Sequence, residues 1–120
     1  MSLVEVTVNG PVATITLADV ERRNVLSSGL LAELTSAIDE CESNAHVRVV
    51  VVTNAGRVFC AGADLADPGA TPAALAALLA RVQRSALPFV GRVNGHCVAG
   101  GVGLAAVMDV SVALEGTTFG

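Results

Sequence analysis

The stretch Val47-Arg48-Val49-Val50-Val51-Val52-Thr53, followed by Asn54-Ala55-Gly56-Arg57-Val58-Phe59-Cys60-Ala61-Gly62-Ala63-Asp64-Leu65, decides the fold. Its first half is β-branched and broken only by Arg48, which is typical of a short strand covered on both faces. A turn at Asn54–Gly56 leads to an apolar segment with Gly62 in its middle. That segment lies just past the carboxyl end of a predicted parallel strand, where open α/β sheets place their ligands. Gly62 permits backbone geometry that other residues resist, and Ala61 and Ala63 let a ligand approach the main chain. A tight strand-to-helix turn would use the same residues, so the segment alone does not establish a site.

Upstream, Val4–Val8 and Val12–Leu17 alternate apolar and polar residues about an Asn9–Gly10 turn signal, which predicts a β-hairpin. Ser27 or Ser28 can cap a helix with apolar residues at Leu30, Leu34, Ala37, Ile38 and Cys41, ending near Asn44 or Ala45. Downstream, Ala66–Ala70 reads as a loop. Thr71 caps a helix with Pro72 in its first turn, running to about Ala86. Phe89–Val93 and Val110–Leu114 read as buried strands, with a helix of about Leu104–Met108 between them. A hairpin followed by alternating helices and strands predicts an α/β protein. No internal repeat is visible.

The second glycine segment, Asn94-Gly95-His96-Cys97-Val98-Ala99-Gly100-Gly101-Val102-Gly103-Leu104, also follows a strand and opens a helix. Free N–H groups at a helix start carry partial positive charge. Close helix packing would also call for these small residues. Gly101–Ala106 matches G-x-G-x-x-A literally, but no strand ending in an acid follows at the distance a dinucleotide site needs.

The 120 residues are 52% hydrophobic and only 2% aromatic, with mean hydropathy +0.65. One small core cannot hide that much apolar surface, so a partner subunit or further sequence is expected to cover the excess. The longest wholly apolar stretch, Ala73–Ala80, is shorter than the ~18–20 residues of a spanning helix. No membrane partner is expected, and with no signal-peptide pattern a cytoplasmic location is the default expectation. The net charge of −4, with no basic run beyond Arg22–Arg23, argues against nucleic acid. Cys41, Cys60 and Cys97 read as reduced thiols, and the two histidines, His46 and His96, exclude a histidine-rich metal site.

Together, GR-x-FCAGADL and NG-x-x-x-AGG-x-GLA-x-x-x-D, the latter ending at Asp109, resemble the enoyl-CoA hydratase/isomerase, or crotonase, family. The similarity also covers the hairpin, Arg23-Asn24-Val25-Leu26 and the terminal Phe119–Gly120. It implies the α/β fold of the ClpP/crotonase type, a superhelix of repeated β-β-α units, here ending before the C-terminal helical part. Residues 1–120 would be the N-terminal core of such a domain. The resemblance implies an acyl-CoA thioester substrate, coenzyme A entering only as part of it and no other cofactor or metal. It implies an oxyanion hole of two backbone N–H groups, Ala63 and Gly100. Ala61 and Ala63-Asp64-Leu65-Ala66 would line the pantetheine and thioester. Arg23, Asn24 and Val25 would meet the nucleotide end, with Arg22 or Arg23 as a phosphate contact. Homotrimers or hexamers are implied too, consistent with an apolar helix at Pro72–Ala86.

The sequence departs from the family at one telling place. The first of two glutamates used for hydration would stand at Gly103, and the second beyond Gly120. A double-bond isomerase or other thioester chemistry is compatible with that, as is a fragment that binds acyl-CoA or a partner without catalysis. Asp64 reads as a turn or cap residue, and Cys60 and Cys97 as small apolar fillers.

Overall fold

The computed structural model describes residues 2–120. The chain runs β1 (Val4–Asn9), β2 (Val12–Leu17), α1 (Ser28–Ser43), β3 (Val49–Asn54), β4 (Val58–Cys60), α2 (Pro72–Arg84), β5 (Phe89–Val93), β6 (His96–Cys97), α3 (Gly100–Val107) and β7 (Val110–Ala113). Three β-β-α units therefore follow one another before a last strand. The repeat is one of architecture alone, because each unit packs against different neighbours and needs different side chains.

Five strands form the main sheet in the order β1-β2-β3-β5-β7. The hairpin pair β1–β2 is antiparallel and the remaining pairs are parallel. Ala13, Ile15 and Leu17 sit beside Val50, Val52 and Asn54, and all six are buried. This face meets α1, whose Leu30, Leu31, Leu34, Ala37, Ile38 and Cys41 are the buried helical stripe. Val49 and Val51, on the opposite face of β3, are only half-buried. The expected cover on both faces is thus complete on one.

The helix ends follow capping chemistry. Leu30 N–H donates to Ser27 Oγ at 3.1 Å, and Ala74 N–H donates to Thr71 Oγ1 at 3.1 Å. Such caps contribute roughly 1 kcal/mol each. Helix α2 stops at Arg84, two residues before the expected end, where Ser85 N–H turns back to Val82 C=O. Arg81 joins α2 to α1 through Asp39 at 2.5 Å and Glu42 at 2.6 Å. Helix α3 starts at Gly100, one turn before the expected Leu104.

Strand β7 corrects one expectation. Val110–Ala113 is exposed along its whole length, with Val112 at 60%, because it is the edge strand, although Ser111 Oγ still donates to Ala105 C=O of α3 at 2.7 Å.

The strands β4 and β6 leave the main sheet and pair in parallel, Val58 beside His96 and Cys60 beside Cys97. Their approach is unusually close. Gly95 has φ +148°, and a Cβ there would lie 2.2 Å from Arg57 C=O oxygen. Helix α3 comes equally close to β4, since a Cβ on Gly101 would lie 2.6 Å from Cys60 C=O oxygen.

Two outcomes are expected. Gly95→Ala lowers stability by about 3 kcal/mol or more, through overpacking against rigid backbone. Gly10→Ala, whose Cβ would meet nothing within 4 Å, costs only the ~1–2 kcal/mol of a left-handed residue. Urea midpoints of the two variants check the difference. The second concerns acid. Asp67 accepts from Ser28 N–H at 2.8 Å and Ser28 Oγ at 2.7 Å, at the start of α1. The Ser28 backbone N–H above all, then its hydroxyl, holds the Asp67 carboxyl below the usual range. Its stabilisation is present above the ordinary Asp value of about 4 and is lost as pH falls through the lower folded value. The stability gap between the parent chain and Asp67→Ala should therefore be constant near neutrality and close on acidification below about pH 4, measured by denaturation at each pH.

Candidate functional site

Three segments converge where β4 and β6 end. Ala61 N–H donates to Arg23 C=O at 3.1 Å, and Leu26 N–H donates to Gly62 C=O at 2.8 Å. Val98 N–H donates to Cys60 C=O at 3.0 Å. Residues 23–27 therefore flank the first glycine segment on one side, and residues 96–98 flank it on the other.

The two predicted N–H donors come together. A Cβ on Gly62 would lie 3.3 Å from Gly100 N, and a Cβ on Gly100 would lie 3.7 Å from Ala63 N. Among the described residues neither N–H has an acceptor within the protein. Gly100 is the first residue of α3, where an N–H has no intrahelical partner. Its direction is set by Ala99, which has φ 50° and ψ −119°. A non-glycine residue in that region stores roughly 1–3 kcal/mol of strain. The strain is held by a further bridge: Cys97 N–H donates to Thr118 C=O, Gly120 N–H to Cys97 C=O and Ala99 N–H to Gly120 C=O, at 3.0, 3.0 and 2.5 Å. His96 Nδ1 and Thr118 Oγ1 add a side-chain contact at 2.7 Å.

The remaining candidates have distinct places. Ala63, Leu65 and Ala66 are exposed and Ala61 is half-buried. Asp64 is only 7% exposed; it pairs with Arg22 at 2.5 Å and accepts from Ala66 N–H at 3.2 Å. That is the work of a turn residue, and it also occupies Arg22, whose guanidinium the Asp64 hydrogen bond and charge hold further into its charged form. Asn24 is fully buried. Its Oδ1 accepts from Asp19 N–H at 2.9 Å and its Nδ2 donates to Val58 C=O at 3.0 Å. The side chain therefore braces the left-handed bend at Arg23 and Asn24, where φ is 57° and 53°. Val25 is half-buried behind it. Arg23 is exposed and, with Arg57, lines a hollow of about 310 Å³.

Gly103 lies on the same face of α3 as Gly100, three residues on. A Cβ there would meet Leu79 Cδ1 at 3.5 Å, so the position points toward α2. Asp109 is spent on Phe89 N–H at 2.7 Å, at the start of β5. The thiols of Cys60 and Cys97 are buried; burial pushes Cys60 up to about 11 and raises Cys97 as well, so neither is a ready thiolate.

Sequence reasoning missed four participants. Arg57 stands in the first motif but becomes a neighbour of Arg23 only through the fold. The role of Ala99 is conformational and has no residue-type signal. Leu26 and Leu75 each lie within 3.3 Å of a Cβ built on Gly100, though 49 positions separate them in the chain.

Similar sequences and the same fold occur in known proteins. A family model described as Enoyl-CoA hydratase/isomerase matches residues 7–120. The "Probable enoyl-CoA hydratase EchA14" of Mycobacterium tuberculosis is 41% identical over 110 residues, covering 85% of this chain and 43% of that protein. A Bacillus subtilis protein, "Probable enoyl-CoA hydratase", is 31% identical over 129 residues, covering 100% of this chain and 50% of that one. Among solved structures, an enoyl-CoA hydratase of Bacillus anthracis superposes with TM-score 0.88 at 28% identity, covering 99% of this chain and 50% of that one. An enoyl-CoA hydratase/isomerase of Mycobacterium paratuberculosis gives 0.85 at 31%, covering 98% and 50%. The chain spans about half the length of the curated relatives it matches, and the fold over that span is the crotonase fold. The chain belongs to the enoyl-CoA hydratase/isomerase family.

Proposed function

We propose that the chain binds an acyl-CoA thioester and polarises its carbonyl with the Ala63 and Gly100 N–H groups. The observation that carries this reading is the meeting of two acceptorless backbone donors from separate segments. Negative charge grows on a thioester oxygen when it becomes an enolate. Donors already aimed at that oxygen need no reorganisation, and one such donor is worth roughly 3–4 kcal/mol in a transition state. The partial positive charge at the start of α3 adds to the Gly100 donor. Family membership supports the thioester, since relatives are named for enoyl-CoA chemistry. The exposed Ala63, Leu65 and Ala66 suit a pantetheine arm, and Arg23 with Arg57 suits the phosphates of the nucleotide end.

The same geometry argues against hydration by these residues. Adding water across a double bond needs a group that takes and returns a proton. Asp64 is committed to Arg22 and Ala66, and Gly103 has no side chain. The reading is therefore thioester binding and carbonyl polarisation, with the proton carrier for an enzymatic step supplied from outside residues 1–120. A non-catalytic acyl-CoA-binding role is the second reading, favoured by the same glycine. Coenzyme A is part of the substrate, and no metal is invoked. Self-association as a trimer or hexamer is proposed on the exposed Val110, Val112 and Leu114, which leave apolar surface open.

Isotope-edited infrared spectroscopy of a carbonyl-labelled acyl-CoA tests the donors. The thioester band should move to lower frequency on binding, and Gly100→Pro, which deletes one N–H at the first position of α3, should reduce the shift, with circular dichroism checking that the variant keeps the parent fold. Binding without any band shift would leave only the non-catalytic role. Crotonyl-CoA absorbance should fall no faster with the 120-residue chain than in buffer; turnover would show that a proton carrier exists within it.

A further inference from the structure

The Gly100 N–H is aimed by a residue under strain. Ala99 stands at φ 50° and ψ −119°, a backbone conformation that alanine rarely adopts, and no side-chain bond caps α3 there. Gly62 leaves room for it, since a Cβ on Gly62 would lie 3.0 Å from Ala99 Cβ and 3.3 Å from Gly100 N. The peptide between Ala99 and Gly100 is planar, so ψ of Ala99 sets the direction of the Gly100 N–H. Relaxation at Ala99 would swing that donor away from the one on Ala63.

Residues 118–120 oppose the relaxation. Gly120 C=O accepts from Ala99 N–H, and Cys97 bonds to Thr118 and Gly120 on either side of Phe119. These are very short pairings. Strand β6 has two residues, and Phe119 meets Cys97 through one isolated bridge. Main-chain pairing of that length opens readily on its own.

A side-chain pair closes it. His96 Nδ1 lies 2.7 Å from Thr118 Oγ1. Thr118 N–H donates to the same nitrogen at 3.4 Å, so Nδ1 is the acceptor and the threonine hydroxyl its donor. His96 is anchored on its other side, where its N–H donates to Arg57 C=O at 3.2 Å. Both residues are exposed, where a polar pair adds little to overall stability. Its effect is local.

Resting on the thioester reading above, we infer that His96 and Thr118 are positioning residues for the Gly100 donor. Neither touches the bound oxygen. Their hydrogen bond clasps residues 118–120 against β6, the clasped segment holds Ala99 in its strained conformation, and Ala99 aims the N–H. The clasp is needed only while residue 99 carries a Cβ, because glycine takes positive φ without strain.

Four variants of the 120-residue chain test the clasp, read by the infrared band of a carbonyl-labelled acyl-CoA and by amide exchange at residue 99. One ordinary hydrogen bond moves a local equilibrium about two- to tenfold. Thr118→Val should therefore speed Ala99 N–H exchange about two- to tenfold and remove about half or more of the band shift. Thr118→Ser, which keeps the hydroxyl, should match the parent. Ala99→Gly should keep the full shift, and so should Ala99→Gly with Thr118→Val, a rescue that a merely structural role for Thr118 would not produce. An unchanged shift in Thr118→Val, a loss in Thr118→Ser as large as in Thr118→Val, or a double variant as weak as Thr118→Val alone would each overturn the clasp and leave the thioester reading in place. A parent chain that binds no thioester, or binds without any band shift, would overturn carbonyl polarisation and with it the positioning role. The hold on Ala99 is then decided by exchange alone, and an unchanged rate in Thr118→Val would overturn that too.

Discussion

The rest of the structure depends on how closely β4 is approached by the turn before β6 and by the start of α3. Two backbones pass at distances where a single Cβ, on Gly95 or Gly101, would run into a carbonyl oxygen. Backbone, unlike the end of a long side chain, cannot swing aside. The contact fixes the spacing of the two glycine segments and so the spacing of Ala63 N and Gly100 N. It also explains why α3 begins at Gly100, among residues with poor helix propensity. Packing against Cys60 overrides the local preference.

Most of the charge near the site is used to hold loops. Asp64 is tied to Arg22, and Asp67 is tied to the start of α1. Asn24 and Asp109 brace backbone N–H groups elsewhere. What remains free is main-chain polarity: two N–H groups at the edge of an apolar space. The proposed function uses this pair to stabilise charge on a bound oxygen without offering a proton. On the proposed reading, polarisation and proton transfer are separate functions, and residues 1–120 supply only the first.

Much of this was legible in the residues themselves. Ser27, Thr71 and Pro72 mark helix starts because capping is local chemistry, and β1 and β2 follow from alternation about Asn9–Gly10. Gly62, Gly100 and Gly101 stand out because an open backbone is a residue-type property. The exposure of β7 was not legible, since Val110-Ser111-Val112-Ala113 reads the same at a sheet edge as in its middle. Nor was the β4–β6 pairing, because strands of three and two residues are too short to show a period.

The sequence by itself determined the longer strands and helices, where the flexible backbone lies, that no carboxylate stands at Gly103, and which family pattern the two motifs fit. These depend on residue type and near neighbours. Only the tertiary structure decided that Asn24 faces inward, that Arg22 is committed to Asp64 while Arg23 turns to Arg57, and that Leu26 and Leu75 flank Gly100. Each of those is a meeting of residues far apart in the chain, and chain order carries no distance until the backbones have closed on one another.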